Sequence, residues 1–188
     1  MISLLIPVTD IDETISCMVS AANLAKQNIE FILMFSNNDT DTLSRISELP
    51  EFPIRLMSCG DIQLYEKVNA MSRVASGNVL MYWNEKNRFL TRDYDVKLNI
   101  GGVFIGQTAT VSSFMPREMY SILGHYALHN QVNDYLVCLG HNLGMVHNVD
   151  VANTVERTED PTFDCDATKV LIGNDVALVR MALEKTTD

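Results

Sequence analysis

The 188-residue sequence predicts a single α/β domain, a mainly parallel sheet with helices on both faces. Three observations point there. Short apolar runs recur at Ile2–Val8, Ile29–Phe35, Ile54–Ser58 and Val79–Trp83. Helix-like segments separate them, at the spacing that right-handed crossovers need. The runs are also continuous rather than alternating, as in strands covered on both faces.

Taken in order, Ile2–Val8 suits a buried strand. Asp10 reads as an N-cap, with Glu13 completing a capping box. Ile11, Ile15, Met18, Ala22 and Ala25 follow at helical spacing, so a helix is expected over 10–28. Ile29–Phe35 is the second strand, closed by the polar cluster Ser36-Asn37-Asn38-Asp39. A short helix is expected over 40–48, bounded by Pro50 and Pro53, and Ile54–Ser58 is the third strand. Asp61 caps a helix with Leu64, Val68, Met71 and Ala75 on one face, and Gly77 ends it before the strand Val79–Trp83.

The second half is less regular. Gly101–Ser113 suggests two antiparallel strand pieces, Val-Phe-Ile and Thr-Ala-Thr-Val. Pro116 suits the first turn of a helix carrying Met119, Ile122 and Leu123. Val132, Tyr135, Leu136 and Leu139 mark another helix, closed by Gly140. Gly144–Val149 reads as a strand, Glu156–Asp166 as a loop, and Ala167–Lys185 as a helix interrupted near Gly173-Asn174.

An apolar fraction of 47% and a charged fraction of 20% describe an ordinary globular chain. The net charge of −10 argues against broad attraction to nucleic acid or anionic membrane. The apolar start lacks a basic leader and is broken by Pro7 and Asp10. No stretch reaches the roughly 18 apolar residues of a membrane span. Cys17, Cys59, Cys138 and Cys165 form no CxxC pair and read as reduced thiols. A cytoplasmic protein with no membrane partner is the expectation. The chain lacks GxGxxG, GxxxxGK[ST], GxSxG and HExxH, which removes dinucleotide, P-loop, hydrolase-elbow and zincin readings.

Several segments resemble one family in order and spacing. Leu4-Leu5-Ile6-Pro7-Val8-Thr9 is a strand ending in a Pro turn, and Glu30 to Asp41 is a strand leading into a polar turn. Lys67-Val68-Asn69 and Ala75-Ser76-Gly77-Asn78 precede the fourth strand. Leu90–Leu98, Leu123-Gly124-His125-Tyr126, Asn133-Asp134-Tyr135-Leu136 and Glu159-Asp160-Pro161-Thr162-Phe163 follow. Together these are similar to family 2 type GT-A glycosyltransferases over about the first 165 residues.

The resemblance implies a GT-A domain over 1–188, with a donor nucleotide-binding half (1–83), an acceptor-side half (84–166) and a C-terminal helix (167–188). It implies a nucleotide-sugar donor held by Pro7, Thr9, Ser36, Asn37, Lys67, Asn69, Asn84 and Glu85. Asp134 takes the position of the catalytic base. The acceptor could be a saccharide, a protein or a modified nucleobase, and a short chain leaves room for a homo-oligomer or partner subunit to complete its site. A noncatalytic binding or assembly protein of the same fold is the alternative.

The pattern departs from the family where Asp-x-Asp should hold a divalent cation. Asn84-Glu85-Lys86 stands there, and an ammonium has no lone pair for a metal. The family's downstream His falls near Thr154-Val155-Glu156, where there is none. No cofactor is assigned, and Mn2+ or Mg2+ would need an atypical site. Lys86 is the candidate cation for the leaving diphosphate. Asp134 or Asn133 would equally serve as a helix cap, and Ser36 and Asn37 as turn formers. His125 and His129 have the i, i+4 spacing of zinc ligands but no third ligand. Trp83 ends an apolar strand and reads as core.

Overall fold

The computed structural model describes residues 1–26, 29–36, 44–46, 53–109, 112–154 and 165–186. In chain order the elements are β1 (Ile2–Pro7), α1 (Ile11–Leu24), β2 (Ile29–Ser36), β3 (Ile54–Cys59), α2 (Leu64–Val74) and β4 (Val79–Tyr82). Then come α3 (Tyr94–Leu98), β5 (Ile105–Thr108), β6 (Ser113–Pro116), α4 (Arg117–Leu123), α5 (Val132–Leu143), β7 (Val146–Val149) and α6 (Cys165–Glu184).

The described strands form one seven-stranded sheet, ordered β3-β2-β1-β4-β6-β5-β7. β1 pairs in parallel with β2 and β4, β2 with β3, and β5 with β7. β6 runs antiparallel to both β4 and β5. Alternation along β1 separates two cores. Leu4 and Ile6 pack with Cys17, Met18 and Ala21 of α1 and with Tyr94 and Leu98 of α3. Leu5 packs on the other side with Val68 and Met71 of α2, Met119 of α4, Leu136 of α5 and Ile172 of α6. Helices therefore cover both faces, as the continuous apolar runs require.

Local details refine the sequence reading. Asp10 caps α1, its Oδ1 accepting from the amides of Asp12 and Glu13 at 2.9 and 3.1 Å. Glu13 is drawn outward to Arg88 at 2.8 Å and the Asp10 amide donates to Glu85 instead, so the expected capping box does not form. α2 starts at Gln63 rather than Asp61, with the Gln63 amide bonded to Glu66 Oε2 at 2.8 Å. The second antiparallel piece is Ser113–Pro116, one segment later than expected. α5 runs through Gly140 and closes at Gly144, whose φ of 68° suits a residue without Cβ. Gly140 instead lets α5 approach Ile105 and Val146. α6 continues unbroken through Gly173. His125 and His129 lie outside helices. Most of the expected 40–48 helix and Val155–Asp164 lie outside the described residues.

Two ties, one of them on a buried carboxylate, fix the far end of the sheet. The Glu30 carboxylate accepts hydrogen bonds from the Ser3 hydroxyl, the Ser76 amide and hydroxyl, and the Gly77 amide. Arg117 donates to the carbonyls of Ala75 and Gly77, at 2.8 and 2.9 Å for its Nη2. The Ala75-Ser76-Gly77 segment is thus held at the amino ends of β1 and β4.

Candidate functional site

The other end of the sheet gathers most of the chemistry. β1 leads into Thr9 and Asp10, and β4 into Trp83 and Asn84. β1 and β4 are neighbours, and α1 and α2 pack in the cores on opposite faces. A switch point of this kind, at the carboxyl ends of parallel strands, is the usual ligand position in open α/β sheets.

Glu85 fills part of it. The side chain is 3% exposed. Its carboxylate accepts the Thr9 amide at 2.9 Å and the Asp10 amide at 3.1 Å, and is bonded to the hydroxyls of Thr9 and, at 3.0 Å, Thr14. A carboxylate at the start of α1 also meets the positive end of the helix dipole. Arg88 ties the same loop to α1 from outside, reaching Glu13 at 2.8 Å and the Ser16 hydroxyl at 3.1 Å. Beneath the loop, Trp83 is fully buried, donates to Cys17 Sγ at 3.1 Å and stacks on Phe89 with centroids 4.0 Å apart. Phe89 stacks in turn on Tyr94 at 3.5 Å. Burial pushes the Cys17 thiol up to about 11. Trp83 is core.

Asn84 is half-buried, and its Oδ1 accepts the Lys86 amide at 2.9 Å, which turns the chain after β4. Burial pushes the hydroxyl of Tyr82, a residue unremarked in the sequence, up to about 12, with the neighbouring Asn84 side chain pulling the other way. The hydroxyl stays a proton donor at neutral pH. Lys86 is exposed. Thr154 lies beside the loop, its hydroxyl accepting the Arg88 amide at 2.7 Å.

A polar chain links this loop to α5. The Tyr126 hydroxyl contacts the Tyr82 amide at 3.0 Å and the Ser113 carbonyl at 3.4 Å. The Ser113 amide donates to Asn133 Oδ1 at 3.2 Å. Asp134 follows, exposed in the first turn of α5. The first turn of α5 and the β4 loop therefore sit at one end of the sheet.

The remaining sequence candidates spread around this end. Pro7 closes β1 and is half-buried, Thr9 is exposed above it, and Ser36 is the exposed last residue of β2. Asn37 lies outside the described residues. Lys67 is half-buried near the start of α2. Asn69 turns inward: its Nδ2 donates to the Ala127 carbonyl at 2.7 Å, and its Oδ1 accepts the amides of Tyr126 and Ala127 at 2.7 and 3.1 Å. His125 Nε2 lies 2.9 Å from Asp175 Oδ2, and His129 Nδ1 accepts the Gln131 amide.

The donor atoms do not fit a divalent cation. Hard cations take several oxygens, preferably charged. The Glu85 carboxylate is committed to its own hydrogen bonds, Asn84 offers one amide oxygen already accepting a bond, and Lys86 offers none. Among the described residues no group of three His, Cys, Asp or Glu side chains could hold a metal. No helix among them is long and apolar enough to cross a membrane.

No family model and no curated protein sequence matches the chain. Solved structures do. The mannosyltransferase PcManGT of Pyrobaculum calidifontis, determined with GDP-Man and Mn2+, is similar with a TM-score of 0.65 and 11% identity, over 79% of this chain and 54% of that one. Staphylococcus aureus TarS 1–349 in complex with UDP-GlcNAc gives 0.66 and 10%, over 93% of this chain and 66% of that one. A nucleotidyl transferase from Methanothermobacter gives 0.55 and 11%, over 81% and 88%. The chain spans 54% of the PcManGT chain and 66% of the TarS 1–349 chain. Its fold is that of GT-A glycosyltransferases.

Proposed function

We propose that the protein transfers a sugar from a nucleotide-sugar to a hydroxyl acceptor, without a tightly bound metal. The observation carrying this reading is the placement of the β4 loop and the first turn of α5 at the same end of a GT-A sheet. Pro7, Thr9, Ser36 and Lys67 would line the donor side, with Asn84 and Tyr82 beneath the sugar. Asp134 would take the acceptor proton as the acceptor oxygen bonds the anomeric carbon and the bond to the diphosphate breaks. The start of α1 is crowded with the carboxylates of Asp10, Asp12, Glu13 and Glu85. A diphosphate there needs a cation, and Lys86 is the candidate that would stabilise the leaving charge.

A noncatalytic GT-A-like binding protein is the second reading, favoured by the commitment of Glu85 to α1. Thermal-shift measurements across a nucleotide-sugar panel, with and without Mn2+, separate the two. The nucleotidyl transferase likeness adds nucleoside triphosphates to that panel. A donor that raises the melting temperature equally with and without metal supports metal-free binding, and a flat response throughout sinks the transferase reading. With a responding donor in hand, Asp134→Asn should abolish turnover while leaving donor binding intact.

A further inference from the structure

α5 begins without a side-chain cap: Gln131 makes no capping hydrogen bond. Its first turn is fixed sideways instead. Asn133 holds it to Ser113 of β6. On the other side the buried Tyr135 hydroxyl donates to Asp175 Oδ2 in α6. Asp175 is 4% exposed, and His125 meets the same oxygen at 2.9 Å. Burial and the neighbouring Asp175 both push the Tyr135 hydroxyl upward, so it remains the donor at all ordinary pH.

Packing alone does not explain a carboxylate here. Ile172 and Val179 already dock α6 on the apolar face shared with Leu136 and Leu139. Burying a charge costs free energy unless hydrogen bonds satisfy it, and apolar replacements of buried ion pairs are often neutral or better. The buried stripe of Val132, Tyr135, Leu136 and Leu139 sets the coarse rotation of α5. The directional bond from the Tyr135 hydroxyl to Asp175 refines it at the turn that carries Asp134, the adjacent residue.

We propose that Asp175, with His125 beside it, is a positioning residue that sets the orientation of Asp134 through the Tyr135 hydroxyl. The inference rests on the transferase reading with Asp134 as base. Small misplacements of a reacting group lower turnover far more than they lower binding.

The test uses the full chain and the donor identified by thermal shift. Tyr135→Phe keeps the ring and deletes the hydroxyl, and should lower kcat by about tenfold with donor KM changed less than about twofold. Asp175→Asn retains an acceptor oxygen and should keep most of the turnover, whereas Asp175→Ala should lose it as Tyr135→Phe does. If Tyr135→Phe does not fold, the Asn and Ala pair at 175 carries the comparison. A merely structural tie would lower the melting temperature of these variants without separating kcat from KM. Unchanged kcat in Tyr135→Phe, with Asp134→Asn inactive, overturns the positioning role and leaves the base assignment standing. An active Asp134→Asn overturns both.

Discussion

Glu85 accepts the backbone amide of Thr9 at 2.9 Å, joining two loops 76 residues apart in sequence at the carboxyl ends of β1 and β4. The bond sits where a ligand of this fold is expected. One acidic side chain therefore both shapes the candidate site and holds it together.

Replacing Glu85 should be costly. Hydrogen bonds to a charged group contribute about 1.5–3 kcal/mol each, and orphaned partners add a desolvation penalty. Glu85→Ala should lower stability by about 3 kcal/mol in urea denaturation, and Glu85→Gln by less, since one oxygen still accepts. A loss below the resolution of the method for Glu85→Ala would mean that the loop is held by Arg88 and the aromatic stack alone.

Glu30 predicts an acid limb in stability. Burial raises its carboxyl, but the hydrogen bonds from Ser3, Ser76 and Gly77 outweigh burial and hold it below the ordinary value of 4.5. A lowered folded value means that its contribution is complete above the unfolded value and is lost as pH falls through the folded one. Glu30→Gln should therefore be less stable than wild type at neutral pH and show a shallower decline below pH about 4.5. Parallel stability curves for the two proteins would contradict the assignment.

Two glycines should respond in opposite directions to alanine. At Gly77 a Cβ would lie 2.4 Å from Ser3 Oγ and 2.7 Å from the Ser3 amide nitrogen, part of a paired strand. Gly77→Ala should cost about 1–3 kcal/mol through overpacking. At Gly173, inside α6, a Cβ meets nothing within 4 Å. Gly173→Ala should gain about 0.5–1 kcal/mol from helix propensity. Thermal melts of both variants check the pair.

Asn69 separates a structural role from donor binding. It satisfies three backbone groups of the 126–127 segment. Asn69→Asp removes the donor to the Ala127 carbonyl and buries a charge, and should destabilise by about 2 kcal/mol or more. The donor-induced melting shift should survive in the folded fraction. Loss of that shift with full stability would make Asn69 a donor contact instead.

Much of the layered fold was legible. Continuous apolar runs announce buried strands, because both faces of each must be apolar. Asp10 announces the start of α1, because its short carboxylate suits the first free amides. The ends of elements were less legible: Gly140 reads as a stop, yet it serves a close approach to Ile105 and Val146 across the sheet. The offset of β6 was equally hidden, since polar Ser113 is buried by Tyr126 and Asn133, which are distant in sequence.

Read alone, the chain foretold the strands β1 to β4, the helices α1 and α2 that separate them and the two-sided burial of the sheet. Those properties follow from periodicity and side-chain composition, which are local. Three-dimensional packing is what folds Glu85 back onto Thr9 and Thr14, turns Asn69 inward to residues 126–127 and brings Asp175 to Tyr135. Each of these is a polar pairing across many tens of residues. Their partners are chosen by which groups the packed sheet and helices bring within hydrogen-bond distance once water is excluded, and no local pattern encodes that choice.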